Sequence, residues 1–289
     1  MSTAPPGRRQ LTVTANERLG AYTVLRAADP APGHAAAGAP AERRGAAAPV
    51  PQPGQFAMLA AVERWGGGED ERPHLARACS YARHAAGESH YLLEDVGPGT
   101  RRLCELRPGE RMWALGPLGR GFRASGADLE GRRALLVGGG VGIAPLAMLQ
   151  DALEGAGGAQ AGVLLGFRDR ARAEGAALLR GAVLATDDGS VGHRGRVTEL
   201  LAAELERDAH TVVCACGPAP MLEGVRALCE RAGVPAQLAL EAGMACGFGA
   251  CYGCVVPTRG GGYLRVCVDG PVVDAELLAH VDAHAGAPA

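Results

Sequence analysis

Residues 134–146 read ALLVGGGVGIAPL. The four leading apolar residues suit a short strand buried on both faces. The glycines end that strand, and residues 144–154 carry a helical pattern. Gly140 and Gly142 permit a tight turn close to a pyrophosphate, whose charge the following helix N-terminus favours. Gly138 opens the glycine run, and Pro145 sets the first helical turn without losing a useful N–H. The pattern is G-x-G-x-x-P, not the G-x-G-x-x-G of an ordinary dinucleotide dehydrogenase.

Working outward, further strands are expected at Val163–Phe167, Ala182–Thr186 and Val212–Ala215, and helices at 197–206 and 219–231. Alternating β and α predicts a doubly wound parallel sheet over 131–235. The run Cys216-Gly217-Pro218-Ala219-Pro220-Met221-Leu222 puts a turn at the carboxyl edge of this sheet, where open α/β sheets bind ligands. The same residues also suit a plain strand-to-helix turn.

From residue 236 the chain turns Cys- and Gly-rich, and 236–289 reads as a small metal domain. Cys246, Cys251, Cys254 and Cys267 follow the order C-x4-C-x2-C…C, the plant-type [2Fe–2S] spacing. Gly247, Gly249 and Gly253 would let a loop wrap an inorganic core and aim N–H groups at its sulfurs. Gly260–Gly262 read as the turn of a hairpin that brings in Cys267. A structural zinc site is the alternative, although zinc prefers two similar C-x2-4-C pairs. Cys104, Cys214 and Cys229 lie in apolar contexts and read as core residues.

Upstream, 11–26, 54–60 and 89–96 read as strands, punctuated by Pro108–Gly109 and Gly116–Pro117. Short strands with turn signals predict an antiparallel barrel over 1–130, with loop insertions at 27–53 and 62–76. The net charge of −2 and 4% aromatic content offer nothing to nucleic acid or an anionic membrane. No apolar run is long enough to span a bilayer, and no signal peptide is visible. A cytoplasmic setting is therefore expected. There, nine cysteines argue for metal or redox use and against a disulfide framework.

These strings carry a resemblance. GGGVGIAP and CGPAPML resemble the nicotinamide half of the ferredoxin–NADP reductase superfamily, in which an FAD-binding barrel precedes the pyridine nucleotide domain. Arg77-Ala78-Cys79-Ser80 is similar to the family's R-x-[YF]-S flavin motif at its Arg and Ser. Gly97-Pro98-Gly99-Thr100 resembles the second flavin-phosphate loop, and Leu115-Gly116-Pro117-Leu118-Gly119 the barrel exit. With the cysteines, the whole arrangement resembles the electron transfer subunits of dihydroorotate dehydrogenase B. Supporting strings are Pro53-Gly54-Gln55-Phe56, Thr186-Asp187-Asp188-Gly189-Ser190, Met244-Ala245-Cys246-Gly247, Gly249-Ala250-Cys251 and Cys267-Val268-Asp269-Gly270-Pro271-Val272. The resemblance covers nearly the whole chain apart from the two loop insertions.

The resemblance implies a fold of barrel, doubly wound sheet and small cluster domain, with three carriers: FAD, a [2Fe–2S] cluster and NAD as co-substrate. FAD would be held by Arg77, Ala78, Cys79, Ser80, Leu92, Leu93, Glu94, Gly99 and Thr100. Arg77 would pair with a phosphate, and Ser80 would bond near the reactive edge of the flavin. NAD would be held by Gly138, Gly140, Gly142, Pro145, Cys216, Gly217 and Pro218, with Cys216 near the nicotinamide. Arg168 and Arg170 could accept a 2′-phosphate and Asp169 would repel it; the family implies NAD⁺. The implied partner is an FMN-containing dihydroorotate dehydrogenase catalytic subunit, in a heterotetramer with two copies of each chain. Electrons would pass from its FMN through cluster and FAD to NAD⁺, in pyrimidine biosynthesis.

The chain departs from the family pattern at Ala78 and Cys79, where Pro and a larger residue are usual. It departs also at Leu93-Glu94, where Tyr-Arg is common, and at Val273, where Phe is usual. Another flavin/iron–sulfur NAD(P)H reductase, serving ferredoxin, a hydrogenase or sulfide oxidation, is the alternative. The strings G-A-C-x-x-C and C-x-D-G-P-V favour the first reading.

Overall fold

The stretch 11–26, read as one strand, folds as two. Strands β1 (Gly7–Leu19) and β2 (Tyr22–Ala28) pair antiparallel around a turn in which Gly20 takes φ +59°. The structure, a computed structural model, describes residues 7–29, 49–66, 73–123, 129, 131–155 and 161–281. The centres of the two expected loop insertions, 30–48 and 67–72, lie outside the described residues.

Four more strands complete the first half: β3 (Phe56–Ala61), β4 (Arg77–Ala85), β5 (Glu88–Glu94) and β6 (Arg111–Leu118). They close an antiparallel barrel in the order β1-β2-β5-β4-β3-β6. Leu25, Leu59, Tyr81, Tyr91 and Met112 pack its interior. Two of these strands were not expected from the sequence. β4 carries Arg77, Ser80, Arg83 and His84, so its apolar run is broken, and β6 contains Gly116 and Pro117. A short helix, α1 (Pro98–Cys104), stands where the second flavin-phosphate loop was expected. Pro98 suits its first turn because the missing N–H would be unbonded there anyway.

The second half is a seven-stranded sheet. Its strands are β7 (Arg133–Gly139), β8 (Gly162–Phe167), β9 (Ala182–Thr186), β10 (His193–Arg194), β11 (Thr211–Cys216), β12 (Ala236–Ala239) and β15 (Val272–Asp274), in the order β10-β9-β8-β7-β11-β12-β15. All run parallel except β15, which pairs antiparallel with β12. β11 is buried throughout, as a central parallel strand covered on both faces must be. Helix α2 (Ile143–Gly155) covers one face. A four-residue helix, α3 (Arg170–Ala173), follows β8. Helices α4 (Val197–Arg207) and α5 (Ala219–Ala232) cover the other face.

The sheet continues past residue 236, where a domain boundary was expected. The four residues of β12 are all buried, but Ala-Gln-Leu-Ala is too short and mixed to announce a strand. The cysteine segment is therefore inserted between two strands of one sheet, not appended after it. It holds a two-stranded hairpin, β13 (Val255–Pro257) and β14 (Tyr263–Arg265), and a short helix, α6 (Val266–Asp269). Cys267 lies on α6, just past the hairpin. One apolar core joins this segment to both neighbours: Val256, Leu264 and Val266 share it with Met58 and Leu118 of the barrel and with Leu238 of the sheet.

Candidate cofactor site

Barrel, sheet and cysteine segment meet around one cavity of about 580 Å³, a volume typical of cofactor clefts. The barrel contributes Phe56, Ala78, Cys79, Ser80 and the run Leu92–Glu94, with Thr100 from α1. The nucleotide turns contribute Val141, Gly142, Cys216 and Pro218. The start of the cysteine segment contributes Glu241, Ala242, Gly243 and Met244. Met244 stands two residues before Cys246, so cavity wall and cysteine site are joined by one short run of chain.

Ten of the expected residues line the cavity: Ala78, Cys79, Ser80, Leu92, Leu93, Glu94, Thr100, Gly142, Cys216 and Pro218. Arg77, Gly99, Gly138, Gly140, Pro145 and Gly217 lie off its wall. Arg77 and Gly99 meet each other, since a Cβ on Gly99 would stand 2.3 Å from Arg77 Nε. Glycine is thus required for the guanidinium to lie across α1, beside the wall residues Ala78 and Thr100. Arg77 also donates to the Leu75 carbonyl at 2.6 Å. Gly138 is packed behind the turn: a Cβ there would meet Ile143, Leu146 and Leu165 at 3.0 Å. Gly142 brings the two nucleotide turns together, as a Cβ on it would be 2.7 Å from Gly217 N and from the Cys216 carbonyl oxygen.

The cavity thiols are held neutral. Burial raises the Cys79 thiol to about 12. Burial, then the nearby Glu241 charge, pushes Cys216 well above the ordinary thiol range. Both therefore offer packing surface, not thiolate chemistry.

Glu94, where a basic residue was expected, is neutralised from the other side of the cleft. Arg172 of α3 places Nη2 2.8 Å from its carboxylate, and Nη1 2.6 Å from Asp169. Sequence reasoning missed Arg172 and Glu241. Arg172 could not have been found, because the pairing crosses 78 residues of chain.

The four cysteines sit as two pairs. Cys254 Sγ and Cys267 Sγ are 3.2 Å apart and buried. Cys246 is hydrogen-bonded with the exposed Cys251. Backbone N–H groups point at the sulfurs, Gly253 N lying 3.4 Å from Cys251 Sγ and Cys267 N 3.5 Å from Cys254 Sγ. At Cys246, partial burial raises the thiol, but N–H groups of Cys251, Phe248 and Ala250 outweigh it and bring it down to about 6. Gly247, at φ +79°, lets the loop pass Met58: a Cβ there would be 2.5 Å from Met58 Cγ. Among the described residues no three His, Cys, Asp or Glu side chains close on one ion position. Two thiol pairs under amide donors suit a dinuclear centre in which each iron takes two protein ligands.

Comparison with known proteins bears on both sites. Residues 241–279 match the family described as the iron-sulfur cluster binding domain of dihydroorotate dehydrogenase B. Over 233 residues the chain is 42% identical to the dihydroorotate dehydrogenase B (NAD(+)) electron transfer subunit of Geobacillus thermodenitrificans, covering 78% of this chain and 85% of the relative. The chain belongs to this family of electron transfer subunits. A homologue from Aquifex aeolicus is 36% identical over 229 residues, covering 78% of this chain and 85% of the relative.

Among solved structures, the fold is similar to that of an NADH-dependent reduced ferredoxin-NADP oxidoreductase. The TM-score is 0.71 at 23% identity, covering 93% of this chain and 90% of that one. The ferredoxin reductase of carbazole 1,9a-dioxygenase is similar at a TM-score of 0.62 and 22% identity, covering 80% of this chain and 67% of that one. This chain thus shares a barrel-plus-α/β fold with these two reductases. Among the described residues no helix is long and apolar enough to cross a membrane.

Proposed function

We propose that this chain passes electrons between an FMN-containing dihydroorotate dehydrogenase catalytic subunit and NAD⁺, through a [2Fe–2S] cluster on Cys246, Cys251, Cys254 and Cys267 and an FAD in the shared cavity. The observation that carries the reading is that shared cavity. The flavin motif, both nucleotide turns and the entry to the cysteine segment face one space. A flavin exchanges single electrons on one side and hydride on the other, which is the conversion the cluster and nicotinamide require of a carrier between them.

The residues divide this work. Residues 1–130 supply the flavin barrel, 131–235 most of the nucleotide sheet and 236–289 the cluster segment. Arg77 and the N–H groups near Gly99 would hold phosphate. Ser80 would bond the flavin edge, and Cys79 and Leu92 would pack on the ring. Gly140, Gly142 and the Cys216–Pro218 turn would bring nicotinamide to the same ring. Asp169 keeps a carboxylate beside Arg168 and Arg170, which favours NAD⁺ over its 2′-phosphate form. Cys251 is exposed, with Phe248 58% and Tyr252 62% accessible beside it. This aromatic rim is where the catalytic subunit would dock, giving a heterotetramer with two copies of each chain.

The test is reconstitution. Purified without oxygen, the protein should show flavin absorption and broad iron–sulfur bands. Mixed with the catalytic subunit it should couple dihydroorotate oxidation to NADH formation. Zinc without iron would overturn the cluster. An intact flavin and cluster with no coupling would overturn the partner.

A further inference from the structure

Among the described residues, the titratable side chains on the cavity wall are Cys79, Glu94, Cys216 and Glu241. Three of them are committed. Burial holds both thiols protonated, and Glu94 is in an ion pair with Arg172. Glu241 differs. It stands two residues past the end of β12, on the cavity wall, and has neither an ion pair nor a hydrogen bond among the described residues. The residue is exposed at the cavity mouth, and the protein packed around its carboxyl raises that group above the usual range. A cofactor that displaced the cavity water would raise it further, because desolvation disfavours the charged form.

Resting on the function proposed above, the electron balance leaves a proton to be found. Forming NADH requires NAD⁺, two electrons and one proton. Electrons that enter through the cysteines arrive singly and bring no proton, yet they leave together as hydride. One proton must therefore enter the cavity for each NADH formed. We propose that Glu241 delivers this proton: its carboxyl O–H gives the hydrogen to the flavin position from which hydride departs. The carboxylate left behind takes a proton from solvent through the cavity mouth. In the opposite direction it accepts the proton that hydride oxidation releases. The nearby groups, Cys216 at the end of the neighbouring strand β11 and Cys79 and Glu94 on the barrel wall, do not compete for this role.

The experiment compares two ways of reducing the flavin in the intact protein, with wild type, Glu241→Gln and Glu241→Asp. Absorbance first verifies that each carries flavin and cluster. NADH supplies its own hydrogen; a chemical one-electron reductant acting through the cluster does not. In Glu241→Gln, cluster-driven flavin reduction should slow about 10²-fold relative to NADH-driven reduction, within the span of general acid catalysis. Its solvent deuterium isotope effect and pH dependence should change with it, and Glu241→Asp should restore part of the rate. Infrared difference spectra should show a protonated carboxyl signal in wild type that Glu241→Gln lacks. Equal slowing of both routes, or an unchanged isotope effect with no missing carboxyl signal, would overturn the proposal. Wild type without flavin would instead overturn the cofactor reading on which it rests.

Discussion

Gly142 and Gly217 are in backbone contact: a methyl group on Gly142 would stand 2.7 Å from the Gly217 amide nitrogen. Because the obstruction is backbone, no side-chain rearrangement relieves it. The two turns at the carboxyl edge of the sheet can approach only while this position carries no Cβ.

Gly142→Ala should therefore push the two turns apart and weaken nucleotide binding. KM for NADH should rise at least about tenfold, equivalent to roughly 1.4 kcal/mol. Flavin absorption should stay near the wild-type level, because the flavin motif lies on the barrel. Steady-state kinetics with an artificial dye acceptor would measure this, and an unchanged KM would show that the turns do not form the nucleotide site.

Cys251→Ser should remove the cluster and spare the flavin. Cys251 pairs with Cys246 on the exposed side of the segment, whereas the barrel core is built from separate residues. The expected spectrum loses the iron–sulfur bands and keeps the flavin bands. NADH-to-dye activity should persist in part, while coupling to a catalytic subunit should vanish. Loss of flavin as well would mean that the cysteine segment is needed to hold the barrel site together, through contacts such as Gly247 on Met58.

How much was legible in the sequence depended on how local the signal was. The glycine turn at 138–142 and the cysteine order are written in consecutive residues, and both emerged without the structure. The helices expected at 144–154, 197–206 and 219–231 appear at 143–155, 197–207 and 219–232. β4 and β6 were illegible because their charged residues, Gly and Pro interrupt the apolar alternation, and only barrel pairing makes them strands. β12 needed its neighbour β11 to become a strand. Glu241 gave no signal, since a lone glutamate gains meaning only from the cavity it faces.

Arg172→Ala should destabilise the fold more than an exposed ion pair would. Arg172 and Glu94 expose 29% and 19% of their side chains, and Arg172 also holds Asp169. Removing it leaves two carboxylates close together and partly buried. The expected loss is about 1–3 kcal/mol, seen as a lower thermal midpoint. Adding Glu94→Gln should recover part of that loss, because the second change removes the uncompensated charge. If the double variant were no more stable than the single, the pair would not be the source of the effect.

A second bridge between barrel and sheet makes the acid limit predictable. Asp151 on α2 is 2.8 Å from Arg83 Nε of β4 and 2.8 Å from Arg180 Nη2. Burial raises its carboxyl, but the hydrogen bonds from Arg83 and Arg180 outweigh burial and hold it below the ordinary 3.8. A carboxyl depressed in the folded state stabilises the fold above its unfolded pKa, and that contribution is lost as pH falls through the folded value. The Asp151 contribution is thus complete near neutrality, begins to fall around pH 3.8 and is gone below the folded pKa. Asp151→Asn should lower stability at pH 7 and, having no proton to gain, show a shallower loss as the pH falls below the ordinary carboxyl value of 3.8. Urea midpoints for both proteins across that range would measure it. Parallel curves would show that the acid sensitivity of the domain junction lies elsewhere.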